Sequence, residues 1–160
     1  MGGHQLVLHE EEFNLLNAVC DRLVRESNSK VVLVIDRNGQ AVAASADAVR
    51  MDTVSLASLV AGNVAATGGL AKILGEREFS VLFHEGERDH LHITLIGDRA
   101  VLVVIFDSRS TLGLVRLRVR KAAEEIAKVF VTVAARSAQS GPGAITEITD
   151  ADIDSLFSDV

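Results

Sequence analysis

The sequence predicts an α+β sandwich in which one five-stranded antiparallel sheet carries a layer of helices on each face. Two observations predict this class. Three segments repeat apolar residues at helical spacing, and five short apolar runs are bounded by turn residues. Their order is helix, two strands, helix, three strands, helix, so neither an all-helical nor an all-β domain fits. The chain has 160 residues, enough to bury one core without disulfides or metals.

The first helix is predicted over residues 10–27, because three glutamates open it where a helix N-terminus favours negative charge. Its apolar residues recur at helical spacing: Phe13, Leu16, Cys20, Leu23 and Val24. The β-branched segment KVVLVID, residues 30–36, predicts a buried strand. Asn38-Gly39 follows it and favours the type I′ turn of a tight hairpin, so residues 40–45 are the predicted return strand.

A connector over residues 46–51 leads to a long central helix, with Asp52 as its predicted N-cap and Gly75 as its stop. Spaced at about 100° per residue, its apolar side chains form a broad stripe that we expect to face the sheet. This stripe comprises Leu56, Leu59, Val60, Asn63, Ala66, Thr67, Leu70 and Leu74.

The other side of the central helix carries small residues where a solvated helix normally carries charges. This small face comprises Ser58, Ala61, Ala65, Gly68, Gly69 and Lys72. Small residues at this spacing let another backbone approach closely, and each glycine costs about 1 kcal/mol relative to alanine in a helix. The small face therefore predicts contact with a partner, although burial against a helix of the same chain would also explain it.

Three antiparallel strands follow, with the sequences FSVLFHE, HLHITLIG and RAVLVVIFD, separated by the turns GERD and GD. The last helix is predicted from Val115, Val119, Ile126, Val129, Phe130 and Val133. Its first turns, VRLRVR, also alternate apolar and polar residues with period two, so the pattern also allows a strand to extend into this segment.

Charge and composition together divide the chain into three parts. Residues 138–160 hold five acidic and no basic residues, so the net charge of −6 leaves residues 1–137 at −1. We expect a globular domain over residues 1–137, a flexible linker over residues 138–148 that contains the single proline, and an acidic tail over residues 149–160 with a short amphipathic helix.

Composition excludes several classes of function. Six Phe with no Tyr or Trp, and the net negative charge, argue against nucleic-acid binding. A single cysteine excludes an internal disulfide, the N-terminus lacks a secretion signal, and no uninterrupted apolar run approaches the roughly 20 residues of a membrane span. We therefore expect a cytoplasmic protein that does not insert into membranes.

The residues indicate no active site, metal or cofactor. No phosphate-binding G-x-x-x-x-G-K-[ST] motif is present. If GERD is a four-residue turn, Glu85 faces His90 and Phe83 faces His92, so His84 points to the other side of the hairpin and the histidines do not form a metal site. Cys20 lies on an apolar helix face and is interpreted as a core residue.

Several stretches closely resemble one family. They are MDTVSLASLVAGNVAATGGLAKILGE, FHEG, VLVVIFD and LGLVRLRVRKA, together with the SGPG linker and the ITDADIDSLF tail. On these residues the chain resembles the Roadblock/LC7 family, with its longin-like and profilin-like sandwich, and within it bacterial polarity regulators. The resemblance covers essentially the whole chain.

This resemblance implies a homodimer with paired edge strands and adjacent central helices. It implies binding to a GTP-loaded small Ras-like GTPase at a cell pole, faster GTP hydrolysis without a donated arginine, a role in gliding motility, and possible help with nucleotide exchange. Carried onto this chain, the GTPase contacts are the small face and the tail residues Ile153, Leu156 and Phe157.

Two other functions fit the residues. A scaffold dimer would recruit a GTPase without changing its turnover and would use the same small face. A small-molecule sensor would need a cavity between sheet and helix with polar groups converging on it. Asn63, within the apolar stripe, is the one hint of such a cavity and is interpreted more simply as a hydrogen-bonded core amide.

Overall fold

The computed structural model describes residues 7–139, which belong to two compact units. One unit is Leu8–Phe130 and contains the whole sheet. The other combines Met1–Val7 with Val131–Val160, and in its described part the Arg136 guanidinium Nη2 donates a hydrogen bond of 3.0 Å to the Val7 carbonyl oxygen.

Five antiparallel strands form one sheet, as predicted. Their bounds are β1 Val31–Asp36, β2 Ala41–Ala44, β3 Val81–Glu85, β4 His90–Ile96 and β5 Ala100–Phe106. The spatial order is β2-β1-β5-β4-β3, so the most apolar strands, β1 and β5, lie inside the sheet and the chain's two shorter strands lie at its edges.

Three helices surround the sheet, and the predicted element order is confirmed. They are α1 Glu10–Ser27, α2 Thr53–Leu74 and α3 Leu112–Gln139. A short 3-10 turn, Ala46–Arg50, occupies the predicted connector. The segment VRLRVR lies inside α3, so the strand extension that its alternation allowed does not form.

Strand alternation divides the core between the two faces of the sheet. On one face, Leu33, Val101 and Val103 pack under α2, together with Ile93 of β4. The opposite face carries Val32, Val34, Leu102 and Val104, all fully buried. There α1 packs on β1 and β2, and an ion pair between Arg22 of α1 and Glu125 of α3 joins the two helices.

The first hairpin turn differs from the predicted type I′. That turn needs positive φ at both central residues, but only Gly39 has it, at +90°, while Asn38 does not. The Gly39 N–H donates to the Asp36 carbonyl at 3.2 Å, and Oδ1 of Asp36 accepts from the N–H groups of Asn38 and Gln40, each at 2.9 Å. The Asp36 carboxylate therefore organises the turn and makes a second left-handed residue unnecessary.

The two edge strands, β2 and β3, differ in what contacts their outer backbone groups. At β2, the outward Ala44 N–H donates to Oδ1 of Asn17 at 3.0 Å, and the following Ala46 N–H donates to Oδ1 of Asp21 at 2.8 Å. Side chains of α1 thus occupy the backbone N–H groups at the C-terminal end of the β2 edge. The outer edge of β3 pairs with no strand among the described residues.

Candidate partner interface

Helix α2 has well-defined ends, as predicted. The Asp52 carboxylate accepts a hydrogen bond from the Ser55 N–H at 3.1 Å, and hydrogen bonding by the Ser55 side chain and backbone holds the pKa of Asp52 below its usual value. Gly75 ends the helix in the left-handed conformation, with φ of +76°, and its N–H bonds to the last turn. Both caps fix where the 22-residue surface of α2 begins and ends.

The side of α2 that meets the sheet carries both small and branched residues. Ala57 and Val60 are buried in the core there, and Leu56 and Val64 pack against it. The helix backbone also approaches the first hairpin closely, since a Cβ built on Gly39 would lie 3.1 Å from Cα of Ser58 and 3.3 Å from Cβ of Ala61. The small residues at this end of α2 therefore serve, in part, close packing inside the chain.

The predicted sheet-facing stripe is wrong for most of its members. Val60 is buried, and Leu56 and Thr67 are half-buried, but five residues are exposed: Leu59, Asn63, Ala66, Leu70 and Leu74. The helix is rotated so that Ala57 and Val60 are buried in the core, whereas Leu59, Leu70 and Leu74 remain exposed. Asn63 is accordingly an exposed residue, not the core amide that its apolar surroundings indicated.

Four large apolar side chains of α2 form an exposed surface that we call the leucine flank. They are Leu59, Leu70, Ile73 and Leu74, with exposed fractions of 73%, 58%, 82% and 68%. Ile73 had no place in the predicted stripe. So many large apolar side chains together on one helix are unusual for the surface of a monomer and are typical of an interaction site.

Helix α2 also meets the length and composition of a membrane span, contrary to the expectation from the sequence. Such a helix is weak evidence for a membrane, since helices that pack on a protein core pass the same test. Here Ala57 and Val60 belong to the core between α2 and the sheet, and Leu56 and Val64 pack against it. The leucine flank is therefore interpreted as a surface for protein.

The leucine flank continues into the open edge of the sheet. A shallow groove of about 190 Å³ is lined by Leu59 and Asn63 of α2, by His84 of β3 and by Leu91 of β4. β3 pairs with no further strand among residues 7–139, and the groove brings Leu59 of the leucine flank beside this open edge. The sequence indicated an exposed apolar surface, because apolar residues occur on nearly every side of α2. It did not indicate which of these residues the sheet would cover.

The predicted small face lies on the other flank of α2. Ser58, Ala65, Gly69 and Lys72 are exposed, whereas Ala61 and Gly68 are half-buried. A Cβ built on Gly68 or Gly69 would meet nothing within 4 Å among the described residues. The structure therefore brings the six residues to one side of the helix and leaves four of them accessible, with no helix of residues 7–139 packed over them.

The predicted hairpin register of the histidines is confirmed. Glu85 pairs with His90, Phe83 with His92, and His84 with Leu91, so His84 lies on the α2 side and the other two lie on the α1 and α3 side. No group of residues able to hold a metal ion occurs within residues 7–139. The His90 ring instead packs on Phe106, with ring centroids 5.1 Å apart.

The Cys20 thiol and the Asp107 carboxylate each lie in surroundings that indicate a structural role. Cys20 is fully buried, and burial raises the pKa of its thiol to about 12, which leaves it protonated and unreactive. The Arg109 side chain bonds to Asp107 at 3.1 Å and holds the pKa of that carboxyl below its usual value. Both residues belong to the turn before α3.

The predicted tail contacts, Ile153, Leu156 and Phe157, lie outside the described residues, as do residues 140–148 of the predicted linker.

Comparisons with known proteins agree on one family. The Roadblock/LC7 domain matches residues 15–106. The chain is similar to Myxococcus xanthus MglB, with 56% identity and a TM-score of 0.75 over 80% of this chain and 96% of that one. It is similar to the gliding protein MglB from Thermus thermophilus, with 37% identity and a TM-score of 0.72 over 78% and 95%. An MglB with a tetrameric arrangement is 36% identical, with a TM-score of 0.75 over 81% and 97%. The comparison with curated proteins finds no match.

Proposed function

Because the chain belongs to the Roadblock/LC7 family, we propose that it is a homodimeric activator of GTP hydrolysis by a small Ras-like GTPase of the MglA type. In this role it controls cell polarity and gliding motility from the cytoplasm, at a cell pole. The similarity to MglB structures supports this proposal. The observation that carries it is the exposed surface of α2, which holds a single charge, at Lys72, and adjoins an open strand edge.

The leucine flank and the β3 edge are the proposed dimer surface. A two-fold axis beside β3 would pair the unpaired backbone groups of two copies and place the leucine flanks together. Pairing of the β3 edges and contact between the leucine flanks favour the same two-fold arrangement. The groove lined by Leu59, His84 and Leu91 lies between helix and strand on one side of the sheet. Dimerisation would remove from water the apolar side chains that a single chain leaves exposed.

The small face is the proposed contact with the GTPase. It lies on the flank of α2 away from the leucine flank, so a dimer formed as above leaves Ser58, Ala65 and Gly69 accessible. Residues without long side chains let switch segments approach the helix backbone, and Lys72 supplies one positive charge at the end of this face. We propose that Ile153, Leu156 and Phe157 of the tail add a second, apolar contact that holds the GTPase.

The proposed mechanism needs no arginine from this chain. An inserted arginine stabilises the transition state of many GTPases and raises the rate by orders of magnitude. Here Arg116, Arg118 and Arg120 belong to α3, on the face of the sheet opposite α2, and Arg109 is bonded to Asp107. We propose instead that binding selects the switch arrangement in which the GTPase's own catalytic residues are assembled.

The decisive experiment is a titration of the full chain with a Ras-like GTPase of the MglA type loaded with GDP or with a GTP analogue, followed by GTP turnover. Tighter binding to the GTP-analogue form with faster turnover is the expected result. State-dependent binding without faster turnover would identify a scaffold, and equal binding to both forms would contradict the proposal. A chain ending at Ala138 measures the part played by the tail.

Single alanine substitutions test the mechanism. We expect that no variant among Arg109→Ala, Arg116→Ala, Arg118→Ala and Arg120→Ala abolishes activation while binding remains unchanged. GTP turnover at saturating activator, beside the affinity for the GTP-analogue form, provides the measurement. One variant that binds normally and fails to activate would identify an arginine finger and refute the proposed mechanism.

Fluorescent tagging in rod-shaped cells tests the proposed location. We expect a polar focus that is lost with a dimer-breaking variant of the leucine flank, and uniform fluorescence of the intact chain would contradict polar placement.

A further inference from the structure

A second groove lies on the face of the sheet opposite α2, between α3 and the β3–β4 hairpin. Its volume is about 480 Å³, within the range of small-molecule sites, which are mostly apolar with a few polar groups. His92 and Val119 are buried along it, with exposed fractions of 2% and 4%, while Arg116 and Arg120 line its exposed rim. It uses none of the residues of the leucine flank or the small face.

His92 is the unusual residue in this groove. Nδ1 of its ring lies 3.3 Å from Oγ1 of Thr94, but Nε2 has no hydrogen-bond partner among the described residues. Buried polar atoms are paired in the great majority of cases, so an unpaired ring nitrogen lining a groove indicates a missing partner. Burial, and secondarily the charge of Arg116, lower the pKa of His92, which keeps the ring neutral at pH 7.

The charges around the groove favour an anion. Arg116 and Arg120 stand one helical turn apart on α3 and both line it, whereas Glu124 is the one acidic residue among the described residues of its lining. Two positive charges and one negative leave the lining with a net charge of +1, on a chain whose net charge is −6. Val81, Val119 and Ala123 supply apolar walls beside these charges.

We propose that this groove binds a small amphipathic carboxylate. Its carboxylate group pairs with the guanidinium groups of Arg116 and Arg120 and accepts a hydrogen bond from His92, while its apolar chain lies along Val119 and Ala123. Arginine is suited to this task because its planar head binds carboxylates with two parallel hydrogen bonds. The binding is non-covalent, and it leaves α2 free for the protein contacts proposed above.

Calorimetric titration of the full chain with octanoate tests the proposal, and does so without the GTPase. We expect binding with a stoichiometry of one per chain, accompanied by a change in the ¹⁵N signal of His92 Nε2. The doubly substituted Arg116→Gln/Arg120→Gln chain should bind at least tenfold more weakly. Both arginines are exposed, and the circular dichroism spectrum verifies that the variant is folded. Arg99→Gln, which removes an exposed charge on the β4–β5 turn outside the groove, is the matched control and should bind as the unaltered chain does.

Three results of the octanoate titrations would overturn the proposal. They are the absence of saturable octanoate binding, equal affinity in the double variant and the unaltered chain, and an unchanged His92 signal at saturation. Inorganic phosphate serves as a second probe. Binding of phosphate as tight as that of octanoate would show that the apolar walls contribute nothing, and would refute the amphipathic ligand.

Discussion

Replacing Leu59 by alanine removes a large side chain from the part of the proposed dimer surface where α2 adjoins the β3–β4 hairpin. Leu59 is 73% exposed in the single chain. Since burying a whole leucine side chain contributes about 1.5–3 kcal/mol, covering this one contributes about 1–2 kcal/mol per copy. A two-fold interface contains the residue twice, so Leu59→Ala should weaken the dimer by about 2–4 kcal/mol, which raises its Kd roughly 30- to 700-fold.

Sedimentation equilibrium over a range of protein concentrations measures this change. The matched control is Leu15→Ala, because Leu15 is 56% exposed on α1, on the other face of the sheet. We expect the control to dimerise as the unaltered chain does. A Leu59→Ala chain with an unchanged dimer Kd, or a Leu15→Ala chain weakened as much, would refute the assignment of the leucine flank to the dimer.

Three further predictions concern the small face, the first hairpin and the buried thiol. Ala65→Arg should weaken binding to the GTP-analogue form of the GTPase at least tenfold and leave the dimer intact, while Ala18→Arg, at an exposed site on α1, should do neither. Gly39→Ala should lower the free energy of unfolding by about 1–3 kcal/mol more than Gly97→Ala in urea titrations, because both glycines have positive φ but only the Gly39 position is crowded by α2. Equal losses would show that the contact carries no strain. Cys20 should resist alkylation at pH 8 until the chain is unfolded, since burial raises its pKa to about 12, and rapid labelling of the native protein would contradict its burial.

The elements of this fold could be predicted because each has a local cause. Acidic residues open α1, while Asp52 and Gly75 mark the ends of α2. The GERD turn fixed the register of β3 on β4, and with it the side of the hairpin on which each histidine lies. These features depend on neighbours in the sequence, so a single chain read in order contains them.

The facing of α2 could not be predicted, because its apolar residues occur on nearly all sides. Periodicity identifies a sheet-facing stripe only where the opposite side is polar. The core on the sheet takes in Ala57 and Val60, while Leu59 and Leu70 stay exposed. Which apolar side meets the core depends on how closely the helix can approach the sheet, and that is a property of the three-dimensional packing.

The Asn38-Gly39 turn also depends on a contact outside the pattern that predicted it, in this case with a residue nearby in the sequence. Asn38-Gly39 is a strong signal for two left-handed residues, but the Asp36 carboxylate supplies the hydrogen bonds that let Asn38 stay in the ordinary region. A side chain two residues before the dipeptide thus changed the turn. Candidate contacts on α2 were predictable as a group of small residues, whereas the exposure of each one required the structure.

The unequal edges of the sheet limit how far this protein can polymerise. Asn17 and Asp21 occupy outward N–H groups at and just after β2, so an incoming strand would have to displace α1 to pair there. Strand addition through β3 is self-complementary and uses up the open edge of both copies at once. In the proposed dimer, a sheet whose residues within 7–139 leave one open edge would close at two chains, and strand addition would not extend it into a fibre.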